Sequence, residues 1–323
     1  MDSRTALAID TAKLYYVEGL SQSEVAGKLG VSRPTVSKLL TLARDAGYVR
    51  IEIDDPRTSS SILAERLKDA FGLTEARVIP AITTSTGAHI DDAPSLLLTE
   101  LGKIGAEMLD TLVTDNDLIG VSWGNTLHAI ASQLHQKTVT GVHIVQLKGG
   151  LSHSAHSTND FDTISKFSEA FYAPAHLLPL PAVFQSAEVK RLVEGEPFIE
   201  QLMSLARKST IAVFTVGSAT PESTLLQLGY FSDEDVTHIL AHAVGDICSR
   251  WVTADGEIAV PDIDERSVAI SLTDLRRVPT RLLVAGGLDK AEPLRVALEK
   301  QMATHLVTDS TTAEHILQVT DAS

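Results

Sequence analysis

Residues Leu20 to Leu40 read LSQSEVAGKLGVSRPTVSKLL, and their spacing decides the first part of the fold. Ser21 with Glu24 three residues on makes a capping box, which predicts a helix from Gln22 to about Leu29 with Val25, Ala26 and Leu29 turned inward. Gly30 breaks it. Ser32 caps a second helix, and Pro34 is tolerated because the amide it lacks falls in the first turn, where no intrahelical acceptor exists. Val36, Leu39 and Leu40 face inward on this helix. The same phase leaves Arg33, Thr35, Ser37 and Lys38, next to the cap Ser32, on the outside, where such a helix meets DNA in a major groove. A capped helix, a turn with glycine and a polar-faced second helix together read as a helix-turn-helix.

Around that stretch, residues 5 to 18 place Ala6, Ile9, Ala12, Leu14 and Val17 near helical spacing, predicting a supporting first helix that Gly19 ends. After Gly47, Tyr48 to Ile53 alternates like a strand and predicts a wing, from which Arg50 can reach a phosphate. Asp54, Asp55, Pro56 and Ser59 to Ser61 read as a linker. The expected division is a DNA-binding domain over residues 1–55 and a larger domain over 56–323.

At 323 residues the chain suits one small and one large core. With 44% hydrophobic and 21% charged residues it is not a disordered chain. No run approaches roughly 18 apolar residues, and MDSRTALAID has no basic flank before an apolar stretch, so no membrane partner and a cytoplasmic location are expected. The one cysteine, Cys248, fits a reducing compartment. A net charge of −15 argues against nucleic-acid binding until its distribution is read. Residues 1–55, with 7 Lys and Arg against 8 Asp and Glu, carry only −1 of it, and Lys28, Arg33, Lys38 and Arg44 remain for phosphates. One such head would bind feebly, so dimers or tetramers are expected.

From residue 56 a helix is predicted over Ser61 to Phe71, a strand over Ala76 to Pro80, a loop over 83–95 and a helix over Leu96 to Leu112. Further strands are predicted at Leu118–Ser122, His143–Leu147, Ala175–Leu180, Thr210–Val216, Arg281–Ala285 and His305–Thr308. Apolar β-branched runs alternating with helices imply a Rossmann-like α/β domain, a mostly parallel sheet covered on both faces.

Ligands of such sheets sit outside the carboxyl ends of the strands, so four turns are candidates. GVSWGNTL, from Gly120, sets Gly124, Asn125 and Thr126 at a helix start, with backbone amides and a hydroxyl for an anion. VQLKGGL, from Val145, ends a buried strand in Lys148 followed by Gly149 and Gly150, which let a ligand approach the backbone. In a partly dry pocket the Lys148 amine is available for a Schiff base with an aldehyde sugar, or for an ion pair to phosphate. AVGDICSRWVTADGEI, from Ala243, puts Asp246 at a turn after a helix, as a hydrogen-bond acceptor for sugar hydroxyls, and Asp255–Gly256 at a hairpin turn. LVAGGLDKAEPL, from Leu283, adds Lys290 near another helix start. His128, His143, His153 and His156 lack the cysteine or acidic neighbours of a metal site, and neither metal nor cofactor is expected. Phe161, Phe167, Phe171 and Tyr172 read as core or lid, and Cys248 as packing.

The helix-turn-helix and the ordered set GVSWGNT, LKGG, GDICSRW and AGGLDK resemble the SorC family of bacterial transcriptional regulators along nearly the whole chain. The resemblance implies an effector domain like the sugar-phosphate isomerases and deaminases, a phosphorylated-sugar effector, operator DNA as partner and often a tetramer. It puts phosphate on Gly124, Asn125, Thr126 and Lys290, and Asp246 on the sugar. The LKGG form is most similar to the deoxyribonucleoside-regulator branch, in which a lysine forms a Schiff base with deoxyribose 5-phosphate. A repressor released by that effector is the expectation, with a non-covalent sugar-phosphate sensor or a sugar-phosphate isomerase or deaminase as alternatives. Such an enzyme needs a positioned acid and base, for which the turns offer Asp246, Asp289 and His128. Arg33→Ala should weaken operator binding and change sequence preference, whereas Lys28→Ala should weaken binding evenly. Titrations against operator and scrambled DNA check this; equal losses on every sequence for both would remove Arg33 from base reading.

Overall fold

The computed structural model describes residues 3–49, 56–81, 93–151 and 158–321. It divides into two compact units, Met1–Asp55 and Pro56–Ser323. In the first, α1 (Ser3–Ala12) runs into a π-helical turn (Lys13–Val17), followed by α2 (Gln22–Leu29) and α3 (Arg33–Asp45). The capping box forms: Ser21 Oγ accepts from the Glu24 amide at 3.4 Å, and Glu24 Oε2 accepts from the Ser21 amide at 2.8 Å. Gly30 closes α2 with φ 65°, a left-handed conformation that glycine adopts without a Cβ clash. Ser32 Oγ caps α3 on the Thr35 amide at 3.3 Å, a contact of a kind worth about 1 kcal/mol.

The core of this unit is Ala8, Val25, Val36 and Ala43, fully buried, with Leu39 and Leu40 nearly so. Ser32, Arg33, Ser37 and Lys38 are exposed and Thr35 is half-buried. Val17, expected to face inward, is instead 81% exposed. The π turn widens the coil by one residue and rotates the phase of the residues at its end, so Leu7, Ala8, Ala12, Leu14 and Tyr15 carry the contact. Of the expected wing, Tyr48 is an exposed bend residue, and 50–53, Arg50 included, lie outside the described residues.

The larger unit opens with α4 (Pro56–Phe71), so Ser59 to Ser61 belong to a helix rather than to a linker. Proline suits the first helical position, and serine costs only a fraction of a kcal/mol there, ~0.5. Burial of Leu63, Ala64 and Leu67 outweighs that cost. Most of the loop expected over 83–95 lies outside the described residues; α5 (Ala93–Leu112) begins ahead of the predicted Leu96. The strands are β1 (Glu75–Ile79), β2 (Leu118–Val121), β3 (His143–Gln146), β4 (Ala175–His176), β5 (Ile211–Phe214), β6 (Val216–Ser218), β7 (Gly245–Ile247), β8 (Arg250–Val252), β9 (Thr280–Val284) and β10 (His305–Asp309).

Seven of them form a sheet in the order β1-β10-β9-β5-β2-β3-β4, every pair parallel. Side chains alternate between faces, the period of two that a strand imposes. Ala212, Phe214, Leu283 and Leu306 join one core layer, while Ile211, Val213, Leu282, Val284 and Val307 join the other. A sheet buried on both sides explains why the strands read as unbroken apolar runs.

Two strands depart from expectation by more than a residue at an end. Of Ala175–Leu180 only Ala175 and His176 pair with β3, because the Leu178 amide donates instead to the Gln146 side chain at 3.0 Å. Thr210–Val216 is cut at Thr215: β5 stays in the large sheet, while β6 turns away to pair antiparallel with β7 in a second sheet, β6-β7-β8. Asp246 therefore sits in the middle of a strand, not at a turn. The Asp255–Gly256 turn is present, with the Thr253 amide donating to Glu257 O at 2.9 Å and Gly256 at φ 75°.

The helix α6 (Asn125–Ala131) crosses α5 at Gly102, where a Cβ would lie 2.6 Å from the Ala129 carbonyl carbon. Alanine in place of glycine gains up to about 1 kcal/mol of helix propensity, but forcing a methyl into rigid backbone costs about 1–3 kcal/mol. Gly102→Ala should therefore lower stability in urea unfolding by up to about 2 kcal/mol. Gly27→Ala, with nothing within 4 Å of the new Cβ, should be neutral or stabilising.

Candidate functional site

The strand order reverses its progression between β5 and β2, and the crevice outside their carboxyl ends is where a parallel sheet takes a ligand. A cavity of about 240 Å³ lies there. Its wall brings together residues far apart in sequence: Gly124, Asn125 and Thr126 after β2, Lys148 after β3, Asp246 from β7 and Lys290 after β9. All six were expected from their separate turns.

Lys148 is 5% exposed, and its Nζ lies 3.8 Å from the centre of the Trp123 ring. The indole is itself held, Nε1 donating to Gly149 O at 2.6 Å. A cation over an aromatic face gains about 0.5–2 kcal/mol, less than the cost of drying an ammonium. Among the described residues Nζ has no hydrogen-bond acceptor and no ion-pair partner. Burial accordingly pulls the Lys148 pKa below the ordinary lysine value, with Asp246 and Cys248 opposing. Asp246 shows the mirror image: burial raises its pKa, opposed by Lys148, the Ser249 amide and Lys290. The two groups share a buried site, and a lysine whose pKa is lowered by burial holds more of its amine in the neutral, nucleophilic form.

The Asp246 carboxylate is fixed by its hairpin. It accepts from the Ser249 amide at 2.7 Å, across a turn in which Cys248 and Ser249 take φ 51° and 65°. On the neighbouring strand Gly217 leaves room for it: a Cβ there would stand 2.1 Å from Asp246 Oδ1. Cys248 is fully buried in the core, its thiol pushed up to about 12 by that burial. Lys290 ends a short turn, Leu288–Lys290, held where the Gly287 amide donates to Asp309 Oδ2 at 2.8 Å and to Thr312 Oγ1 at 2.9 Å. Burial lowers its pKa as well, against Asp289 and Asp246.

Gly149 and Gly150 are not on the cavity wall. Their amides donate to Val268 O and Leu180 O, both at 2.9 Å. A Cβ on Gly149 would meet Pro181 O at 2.3 Å, and one on Gly150 would meet Asp160 Oδ2 at 2.1 Å. Glycine at 149 is required by close backbone packing, and at 150 by the Asp160 side chain. His128 also faces elsewhere, its Nε2 2.7 Å from Asp162 Oδ2. His143 and His176 stack at 5.3 Å without a third ligand, and no group of three or more metal-binding side chains occurs among the described residues; His153 and His156 lie outside them. Phe167 and Phe171 are core, while Phe161 and Tyr172 are exposed.

Sequence reasoning missed Trp123, although it lies inside GVSWGNT, and the segment 215–224 after β5, which adds Ser218 and Glu222 to the wall. That segment follows a strand end and is rich in Ser and Thr, a usable signal that lacked only a lysine or paired glycines to raise it above an ordinary turn.

Residues 55–318 match the sugar-binding domain family Sugar-bind, and residues 13–46 match region 4 of the sigma-70 factors, a DNA-binding helix-turn-helix. The chain is 40% identical over 311 residues to the deoxyribonucleoside regulator of Bacillus subtilis, covering 96% of this chain and 97% of that one. The crystal structure of the full-length sorbitol operon regulator SorC from Klebsiella pneumoniae superposes with a TM-score of 0.70 at 27% identity, over 98% and 100% of the two chains. A transcriptional regulator from Streptococcus pneumoniae gives 0.73 at 27% identity, over 82% and 99%. A helix-turn-helix head, a parallel α/β domain with a cavity at its switch point, and these likenesses lead to one conclusion: the chain belongs to the SorC family of sugar-binding transcriptional regulators.

Proposed function

We propose that this regulator is a cytoplasmic repressor, working as a dimer or tetramer, whose hold on operator DNA is released by deoxyribose 5-phosphate bound in the cavity as a Schiff base on Lys148. The observation that carries the proposal is the buried Lys148 amine over Trp123, without an acceptor among the described residues and opposite Asp246. The 40% identity to a deoxyribonucleoside regulator supports a deoxyribose effector over other sugars.

The chemistry rests on the two shifted groups. The Lys148 amine, its pKa lowered by burial, attacks the aldehyde carbon of the open-chain sugar and forms a carbinolamine. Asp246, its pKa raised by burial, gives a proton to the departing hydroxyl, which leaves as water, and a carbon–nitrogen double bond remains. Lys290 and the turn of Gly124, Asn125 and Thr126 take the 5-phosphate, and Asp246 afterwards accepts from a sugar hydroxyl. His128 is bonded away from the cavity, which favours a sensor that holds its ligand over an enzyme that turns it over. Ser32, Arg33, Thr35, Ser37 and Lys38 present the DNA-facing surface of α3. Binding changes operator affinity only as far as the ligand prefers one assembly state, typically about 1–3 kcal/mol of coupling.

Protein incubated with deoxyribose 5-phosphate and borohydride, then mapped by peptide mass spectrometry, should carry a reduced adduct on Lys148. Its formation should rise with pH and level off below the pH at which exposed lysines react, since the lowered pKa frees the amine earlier. Lys148→Met should lose both the adduct and the effector response while keeping operator affinity. An unmodified Lys148 together with a fully responsive Lys148→Met would sink the proposal.

A further inference from the structure

A second cavity, of about 400 Å³, opens where β8, the helix Leu272–Arg277 and the turn at 300–302 meet, and it shares no lining residue with the cavity around Lys148. The two lie on opposite faces of the β7–β8 hairpin: Asp246 pairs across it with Trp251, whereas Arg250 pairs with Ile247, so the two residues project to opposite sides.

Arg250 is 8% exposed and lines this second cavity. Its Nε donates to Ile270 O at 2.9 Å, Nη2 to Ala269 O at 2.7 Å and Nη1 to Asp264 Oδ1 at 2.6 Å. A guanidinium carries five N–H groups, so one on each terminal nitrogen has no acceptor among the described residues. An oxyanion is the acceptor that suits a guanidinium N–H best.

Two more cations border the same space. Arg276, exposed, and Lys300, half-buried, have no ion-pair or hydrogen-bond partner among the described residues. The Lys300 stem is laid across Gly256, where a Cβ would stand 2.4 Å from Cε, so the ammonium is steered rather than loose. Of the two carboxylates on the wall, Asp264 is neutralised by Arg250 and only Glu257 is left. In a unit that carries most of a net −15, a cavity with surplus positive charge is unexpected unless it serves an anion. Thr273 adds a hydroxyl for the rest of such a ligand, whereas the Ser271 hydroxyl is spent capping the helix on Asp274.

We infer that this cavity is a second binding site, for a small phosphate-bearing metabolite whose anionic oxygens meet Arg250, Arg276 and Lys300. The site stands independently of the Schiff-base chemistry.

Inorganic phosphate is the probe, followed by ³¹P NMR titration of the full-length chain. Lys148→Met/Lys290→Met removes the cations of the first cavity and should still bind phosphate saturably. Adding Arg276→Ala and Lys300→Ala should raise the dissociation constant at least about tenfold while the thermal melt shows the protein still folded. Lys300→Glu alone, in the same background, should weaken binding in the same direction. Loss of saturable binding in the Lys148→Met/Lys290→Met protein, or undiminished binding after the further substitutions, would overturn the site.

Discussion

Lys148 held over the indole of Trp123 is the contact on which the rest of the large domain's design depends. Nothing about an isolated lysine favours burial, since drying an ammonium costs several kcal/mol and a single aromatic face returns only about 0.5–2. The position persists because two strand-end turns are tied to each other by the Trp123 indole donating to Gly149 O. That bond fixes the indole as a floor before the lysine is placed. The glycines after Lys148 serve the same end, letting backbone pack against Leu180, Pro181 and Asp160 so that the turn does not yield.

Asp246 completes the pair through a different device. A β-hairpin with two consecutive non-glycine residues at positive φ carries its own strain, of order 1–3 kcal/mol per residue. It is held by Arg250, whose guanidinium bonds Ala269 O, Ile270 O and Asp264. Ala269 in turn bridges to Lys148. The same buried arginine thus supports the hairpin that bears Asp246 and the segment against which Lys148 is laid, and it borders the second cavity as well.

The DNA-binding unit is governed by more local rules. Caps at Ser21 and Ser32, a left-handed Gly30 and a stripe of Val25, Val36, Leu39 and Leu40 specify two helices and the turn between them within 21 residues. Each of these interactions spans no more than one helical turn or one helix pair, which is why they are readable in order along the chain. The departure at Val17 comes from the π turn, because period counting assumes one helical pitch throughout.

The sequence by itself determined what short-range physics controls. It marked the helix-turn-helix, the parallel sheet signalled by unbroken apolar runs, and the turns from which Gly124, Asn125, Thr126, Lys148, Asp246 and Lys290 come. Only the tertiary structure decided which of those residues meet. It set Asp246 inside a strand of a second sheet, removed Gly149, Gly150 and His128 from the cavity, and added Trp123, Ser218 and Glu222. The physical reason is that a parallel sheet pairs strands distant in sequence, β2 with β5 and β5 with β9, so the site is assembled by crossovers that no local pattern encodes. Burial, and with it the lowered Lys148 pKa and raised Asp246 pKa, exists only once that assembly excludes water.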